Sequence, residues 1–292
     1  MKELLLFPEY TACLGLVVGA CLGSFLNVCA SRIPVGISLV RPPSRCPACQ
    51  KTIPFFLNIP VLGWIFLMGK AKCCGEKISF RYLLVELFLG MSYAWIFLDF
   101  SNHQQVEYLM TGCFFTWVMT AVVVIDAETM IIPDRFSMGG AIAGVFLSVC
   151  FPSLQGHSPD SSSMGFLLGL LDSLQGMLIG AGLLYWIGAL ASRCLGRDAL
   201  GEGDIKLLGC VGAFCGWEGA LFCIFGGASL GTVFLIPPLI WSKLKKRTKE
   251  DSLGWGEEVP FGPFLAMAAL LYFFLLKDYF LQWIAQSFGA LI

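Results

Sequence analysis

The strongest constraint on this chain is a recurrence of apolar runs near 20 residues long, the length at which a helix crosses a hydrocarbon core roughly 30 Å thick. Eight can be marked: residues 10 to 31, 83 to 100, 106 to 125, 136 to 152, 173 to 192, 205 to 218, 220 to 241 and 261 to 283, the sixth short and glycine-rich. Charge agrees, because 13% of the 292 residues are charged, where soluble domains carry roughly 25%. The expected fold is an all-α polytopic membrane protein of about eight transmembrane helices. The apolar composition, 57% hydrophobic, predicts a lipid bilayer as partner, and the net charge of -1 predicts no nucleic acid. The start MKELLLFPEY lacks the pattern of a signal peptide, so nothing is expected to be removed.

Orientation follows from the basic residues, which concentrate in cytoplasmic loops. Of the 19 lysines and arginines, 17 fall in four alternate connections. Eight lie between runs one and two (Arg32, Arg41, Arg45, Lys51, Lys70, Lys72, Lys77, Arg81), Arg135 between three and four, and Arg193, Arg197 and Lys206 between five and six. Lys243, Lys245, Lys246, Arg247 and Lys249 lie between seven and eight, and only Lys2 and Lys277 fall on the other side. This predicts an outside N-terminus and four cytoplasmic connections. Asp126, ending run three, and Asp204, opening run six, then share the cytoplasmic face.

Only one connection is large. Residues 33 to 82 carry Cys46 and Cys49 in CPAC and Cys73 and Cys74 in KCCGE. Paired thiols in a reducing compartment are more often metal ligands than disulfides, and four thiolates match a closed tetrahedral zinc site. The alternative is a set of incidental thiols, since adjacent cysteines must bend the backbone sharply for both sulfurs to reach one ion. The chain is accordingly divided into an N-terminal transmembrane helix (1–32), a cytoplasmic zinc-binding-like domain (33–82) and a transmembrane domain of about seven helices (83–292). The other nine cysteines lie in or beside the runs and read as small hydrophobes.

Gly227-Ala228-Ser229-Leu230-Gly231 fits G-x-S-x-G, but that elbow joins a strand to a helix and needs a histidine base. It falls inside run seven, and the two histidines, His103 and His157, fall in the opposite loops. Its spacing, like that of Gly19 and Gly23, reads instead as small-residue helix packing. No H-E-x-x-H occurs, so a zinc protease is unsupported.

Two acidic stretches remain, VVVIDAETMIIPD with Asp126 and Asp134, and GEGDIKLL with Asp204. One carboxylate at a helix end can simply anchor it. Two on one face suit aspartyl proteolysis, in which the ionised acid takes a proton from water while the neutral one hydrogen-bonds the scissile carbonyl. No catalytic metal is required. Gly201 and Gly203 leave room for a substrate backbone. Lys206 reads as an anchor reaching the interface, or as a cation holding one carboxylate charged. Glu202, Glu128 and Asp134 are the reserve acids.

In these residues the chain resembles the bifunctional prepilin peptidases of bacteria, the type IV leader peptidases of the wider GxGD group of membrane aspartyl proteases. The resemblance covers nearly the whole chain, in order: GSFLNVCASRIP (23 to 34), RCPACQKTI (45 to 53), NIPVLGWIFLMGK (58 to 70), ISFRYLLVELFLG (78 to 90), IDAETMIIPD (125 to 134), GEGDIKLL (201 to 208) and VPFGPFLA (259 to 266). It implies catalytic aspartates at Asp126 and Asp204, placed in the 83–292 domain as an aspartyl peptidase of the bacterial inner membrane. It also implies cleavage after a glycine, then N-methylation of the new terminal residue, usually phenylalanine, with S-adenosylmethionine as methyl donor. Glu86 and Gly90 go with methylation. The implied substrates are pilus or secretion pseudopilus subunits with a basic leader and an apolar N-terminal helix. The family pattern G-x-C-x-x-C meets Ala71 here at its first cysteine, so Cys73 would have to substitute.

Three other readings compete. A peptidase without methylase would keep the aspartates alone. A proton-coupled transporter also uses intramembrane carboxylates, but would favour two related halves, and no internal repeat is seen. A membrane scaffold would use the acids only as anchors and tolerate their loss.

Overall fold

The computed structural model describes residues 7–41, 43–103, 105–157, 163–244, 259–277 and 279–280. Its helices are α1 (Pro8–Arg32), α2 (Leu62–Phe66), α3 (Phe80–His103), α4 (Val106–Thr129), α5 (Asp134–Cys150), α6 (Ser163–Leu195), α7 (Glu202–Leu244) and α8 (Gly262–Leu271), with a π-helical turn at Tyr272–Leu276. Among the described residues, pairing between extended segments is limited to two isolated bridges, so the chain is all-α as expected. Among the described residues, five helices are long and apolar enough to cross a membrane: Pro8–Arg32, Phe80–Ser101, Val106–Thr129, Ser163–Leu195 and Glu202–Pro237. The run at 136 to 152 becomes α5, whose 17 residues reach about 25 Å at a helical rise of ~1.5 Å. Lys2, Lys245, Lys246, Arg247, Lys249 and the end of the eighth run lie outside the described residues.

The chain forms two compact units, Met1–Ala121 and Val122–Ile292. In the first, α1 and α3 run antiparallel in close contact. Gly15 stands against Tyr93 and Phe97, Gly19 against Leu89, and Gly23 against Glu86, and a Cβ at any of these three would strike the facing helix. The small-residue reading of Gly19 and Gly23 therefore holds, and backbone approach supplies the attraction that lipid cannot. The Tyr93 hydroxyl donates to the Cys113 carbonyl at 2.8 Å, tying α3 to α4. Along α4, the hydroxyls of Thr111, Thr116 and Thr120 donate to carbonyls four residues back, so none is left unpaired in an apolar setting.

In the second unit, α7 is not one rod. At Gly216, with φ 71° and ψ -179°, the helix breaks. Gly176 of α6 stands against both Gly212 and Gly216, and one turn on Gly180 stands against both Leu208 and Ala220. Leu208 and Ala220 would lie about 18 Å apart on a straight helix, so both can meet Gly180 only if the chain doubles back. The sixth and seventh runs are thus two antiparallel arms joined at Gly216, the first antiparallel to α6 and the second parallel to it. The reversal frees carbonyls of the first arm, and that of Ala213 accepts from Ser173 Oγ at 2.8 Å, Ser148 Oγ at 3.2 Å and Gln155 Nε2 at 3.2 Å. The second arm packs on α8, with Gly227 against Leu265 and Gly231 against Phe264. The G-x-S-x-G stretch is therefore helical, with its glycines facing a neighbouring helix.

Candidate active site

Asp126 sits in the last turn of α4. The helix ends at Thr129, and Pro133, four residues on, marks a segment that cannot continue it. The Met130 N–H still closes on the Asp126 carbonyl at 2.8 Å, and Met130 takes a positive φ of 53°. Four residues later Asp134 opens α5, its carboxylate suited to the positive end of that helix. Asp204 occupies the first turn of the first arm of α7, after Gly201 and Gly203.

The fold brings Asp126 and Asp204 together. Their carboxylates lie close enough for the charge of one to act on the other. They are 4% and 9% exposed, whereas the reserve acids Glu128 and Glu202 face outward. The Asp126 carboxylate accepts the N–H of Gly262, the first residue of α8, whose N-terminal amides lack helical partners. Glycine is needed there: a Cβ on residue 262 would lie 2.6 Å from Asp126 Oδ2 and 2.8 Å from Ile132 Cδ1. A Cβ on Gly203 would meet Ile132 at 3.0 Å, and one on Gly201 would sit 3.6 Å from Asp204 Oδ2. Gly201 therefore leaves open the space beside Asp204, whereas Ile132 fills the place a side chain on Gly203 would take. Lys206 pairs with neither buried acid; its Nζ donates to Asp134 Oδ1 at 2.8 Å. Sequence reasoning assigned no role to Gly262 or Ile132, although Gly-Pro at the opening of an apolar run marks a helix start.

In the first unit the four cysteines form one cluster. Two similar knuckles build it. In one, the bridge Arg45↔Thr52 encloses CPACQK; in the other, Lys70↔Lys77 encloses AKCCGE. Gln50 (φ 57°) and Gly75 (φ 76°) turn at equivalent places. In this register Ala71 matches Cys46 and Cys74 matches Cys49, so Cys73 is the displaced cysteine. Its sulfur still arrives, 3.2 Å from Cys49 Sγ and 3.8 Å from Cys74 Sγ, while Cys46 and Cys74 are 3.6 Å apart. All four sulfurs lie within 4.8 Å of one another, and Zn–S bonds of about 2.3 Å in a tetrahedron put sulfurs roughly 3.8 Å apart. The set fits zinc. Backbone N–H groups of Cys49 and Ala48 pull the Cys46 thiol down to about 6, as befits a thiolate ligand, while the Cys49 hydrogen bond and burial push Cys73 up to about 12.

Glu86 is buried on α3 and accepts the Val61 N–H at 2.6 Å, holding Val61 at a positive φ of 64°. Gly90, one turn on, faces Leu16 and Ala20 of α1.

Comparison with known proteins identifies the family. Residues 17–100 match the Bacterial Peptidase A24 N-terminal domain, and residues 113–236 match the Type IV leader peptidase family. A prepilin leader peptidase/N-methyltransferase of Dichelobacter nodosus is 32% identical over 283 residues, covering 86% of this chain and 87% of that protein. Those of Dickeya chrysanthemi (30%, covering 91% and 93%) and Stutzerimonas stutzeri (30%, covering 87% and 86%) are similar over the same extent. No solved structure gives a significant match. The chain therefore belongs to the type IV leader peptidase family.

Proposed function

We propose that this protein is a membrane aspartyl endopeptidase that removes the leader from prepilin-like proteins and then methylates the amino group it exposes. The observation that carries the reading is the meeting of two buried carboxylates, Asp126 and Asp204, drawn from helix ends far apart in sequence. One ionised acid takes a proton from the attacking water as its oxygen bonds to the scissile carbonyl carbon. The other, protonated, donates a hydrogen bond to the carbonyl oxygen and stabilises the negative charge that develops there. Collapse of the tetrahedral intermediate breaks the C–N bond, and the leaving amine takes up the proton that the first acid removed from water. Gly201 leaves space for the substrate backbone beside Asp204, and Gly262 holds Asp126 through its N–H.

The substrate supported by the relatives' names is a prepilin. A basic leader followed by an apolar helix suits an acidic pair at the end of membrane helices, on the cytoplasmic face of the inner membrane with the N-terminus outside. The count of basic residues supports this orientation.

Methylation belongs to residues of the first unit. When bound, S-adenosylmethionine supplies an electrophilic methyl group on a cationic sulfur. Two buried acceptors one turn apart along the α1/α3 pair fit a cation: the Glu86 carboxylate, and Asn27 Oδ1, which has no hydrogen-bond partner. Residues 33–82 form the zinc-binding domain, with Cys46, Cys49, Cys73 and Cys74 as structural ligands.

The test follows cleavage and methylation separately, with purified protein, a prepilin substrate and labelled methyl donor. Asp126→Asn and Asp204→Asn should each abolish cleavage yet still methylate substrate supplied already cleaved. Persistent cleavage by either variant would overturn the assignment.

A further inference from the structure

The ion pair between Lys206 and Asp134 is poorly placed to stabilise the fold. The side chains are 35% and 62% exposed, and exposed pairs add little to stability. It is well placed to control geometry. Asp134 is joined to Asp126 by a short connection: α4 closes on the Met130 N–H, and α5 begins three residues after Ile131 at the Pro133–Asp134 start. Lys206 lies two residues after Asp204 in the same helical turn. Their side chains therefore diverge by about 200° around the helix, so Asp204 turns to the buried site while Lys206 reaches α5. Glu202 adds a second negative charge acting on Lys206.

A second, apolar contact spans the same two elements. Ile132, in the connection between α4 and α5, is 8% exposed and lies where Gly203 and Gly262 would carry side chains. The connection after Asp126 thus grips the start of α7 at two points, through Ile132 against Gly203 and through Asp134 against Lys206.

Resting on the reading of Asp126 and Asp204 as the catalytic pair, we propose that Asp134 and Lys206 are positioning residues. Their ion pair, with Ile132 wedged at Gly203, sets the approach of Asp204 to Asp126 and so the rate of peptide hydrolysis. Lys206 does not hold a catalytic carboxylate charged and does not contact substrate. Without the clasp the first turn of α7 drifts, and catalysis is steeply sensitive to such drift.

The experiment uses the full chain in detergent with a prepilin substrate. Lys206→Glu and Asp134→Lys should each lower the kcat of cleavage about tenfold or more, as expected when reacting groups are misplaced. KM, melting temperature and methylation of substrate supplied already cleaved should stay unchanged. Lys206→Arg should retain activity, and the reversed pair Asp134→Lys with Lys206→Glu should recover most of it. Where a reversed charge prevents insertion, Lys206→Met tests the same loss. Unchanged kcat in the single variants, a reversed pair no better than either, or a rise in KM alone would overturn the clasp. Asp126→Asn and Asp204→Asn run alongside: if they still cleave, the catalytic reading fails and takes the clasp with it. If they do not cleave while the clasp variants cleave normally, the clasp alone fails.

Discussion

At residue 262 there is no room for even a methyl group. Alanine there would place its Cβ 2.6 Å from Asp126 Oδ2 and press on Ile132, displacing the carboxylate that the glycine N–H now holds. Gly262→Ala should therefore lower the kcat of cleavage by about tenfold or more, because small displacements of reacting groups cost much. Gly139→Ala, where a Cβ meets nothing within 4 Å, should leave it unchanged. Asp126 and Asp204 were legible in the sequence because an ionisable group beside lipid is costly and needs a reason. Gly262 and Ile132 were not, since their importance lies in what stands opposite them.

Among the elements, α7 shows how a membrane helix can turn back. Gly216 takes a left-handed φ of 71°, and the carbonyl of Ala213 is satisfied by three side-chain donors from α5, α6 and the connection between them. Removing one donor by Ser173→Ala should cost about 1 kcal/mol. Gly216→Ala should cost about 1–3 kcal/mol for forcing a side chain into a backbone conformation essentially reserved for glycine. Thermal unfolding in detergent checks both, against the unsubstituted protein. The two arms were marked as separate apolar runs from length alone. That they are antiparallel follows only from Gly176 and Gly180 each meeting both. The G-x-S-x-G stretch shows the converse, where a local pattern suggested chemistry and its helical setting makes it packing.

For the whole molecule, zinc held by the cysteine cluster would staple a segment with little regular structure. Metal analysis of the purified protein should find about one zinc per chain, as four-thiolate sites hold. Cys46→Ser and Cys73→Ser should each lower it. Because the Cys73 and Cys74 thiols are held above their ordinary range, binding must release their protons, so zinc affinity should fall as pH falls. A chelator titration at two pH values checks this sign. Loss of the metal should depress methylation more than cleavage, since Glu86 reaches back to Val61 beside this segment while both aspartates belong to the second unit.

The order of apolar runs and the rarity of charge settled from sequence alone that this is a helical membrane protein, because lipid admits few other solutions. The same scarcity of polar groups exposed the two aspartates and the four cysteines. Only the tertiary structure decided that Cys73 reaches the cluster from a shifted position, that α7 doubles back, and that Lys206 pairs with Asp134 rather than with a buried acid. Each of these depends on distances between segments remote in the chain, which local pattern and composition do not encode.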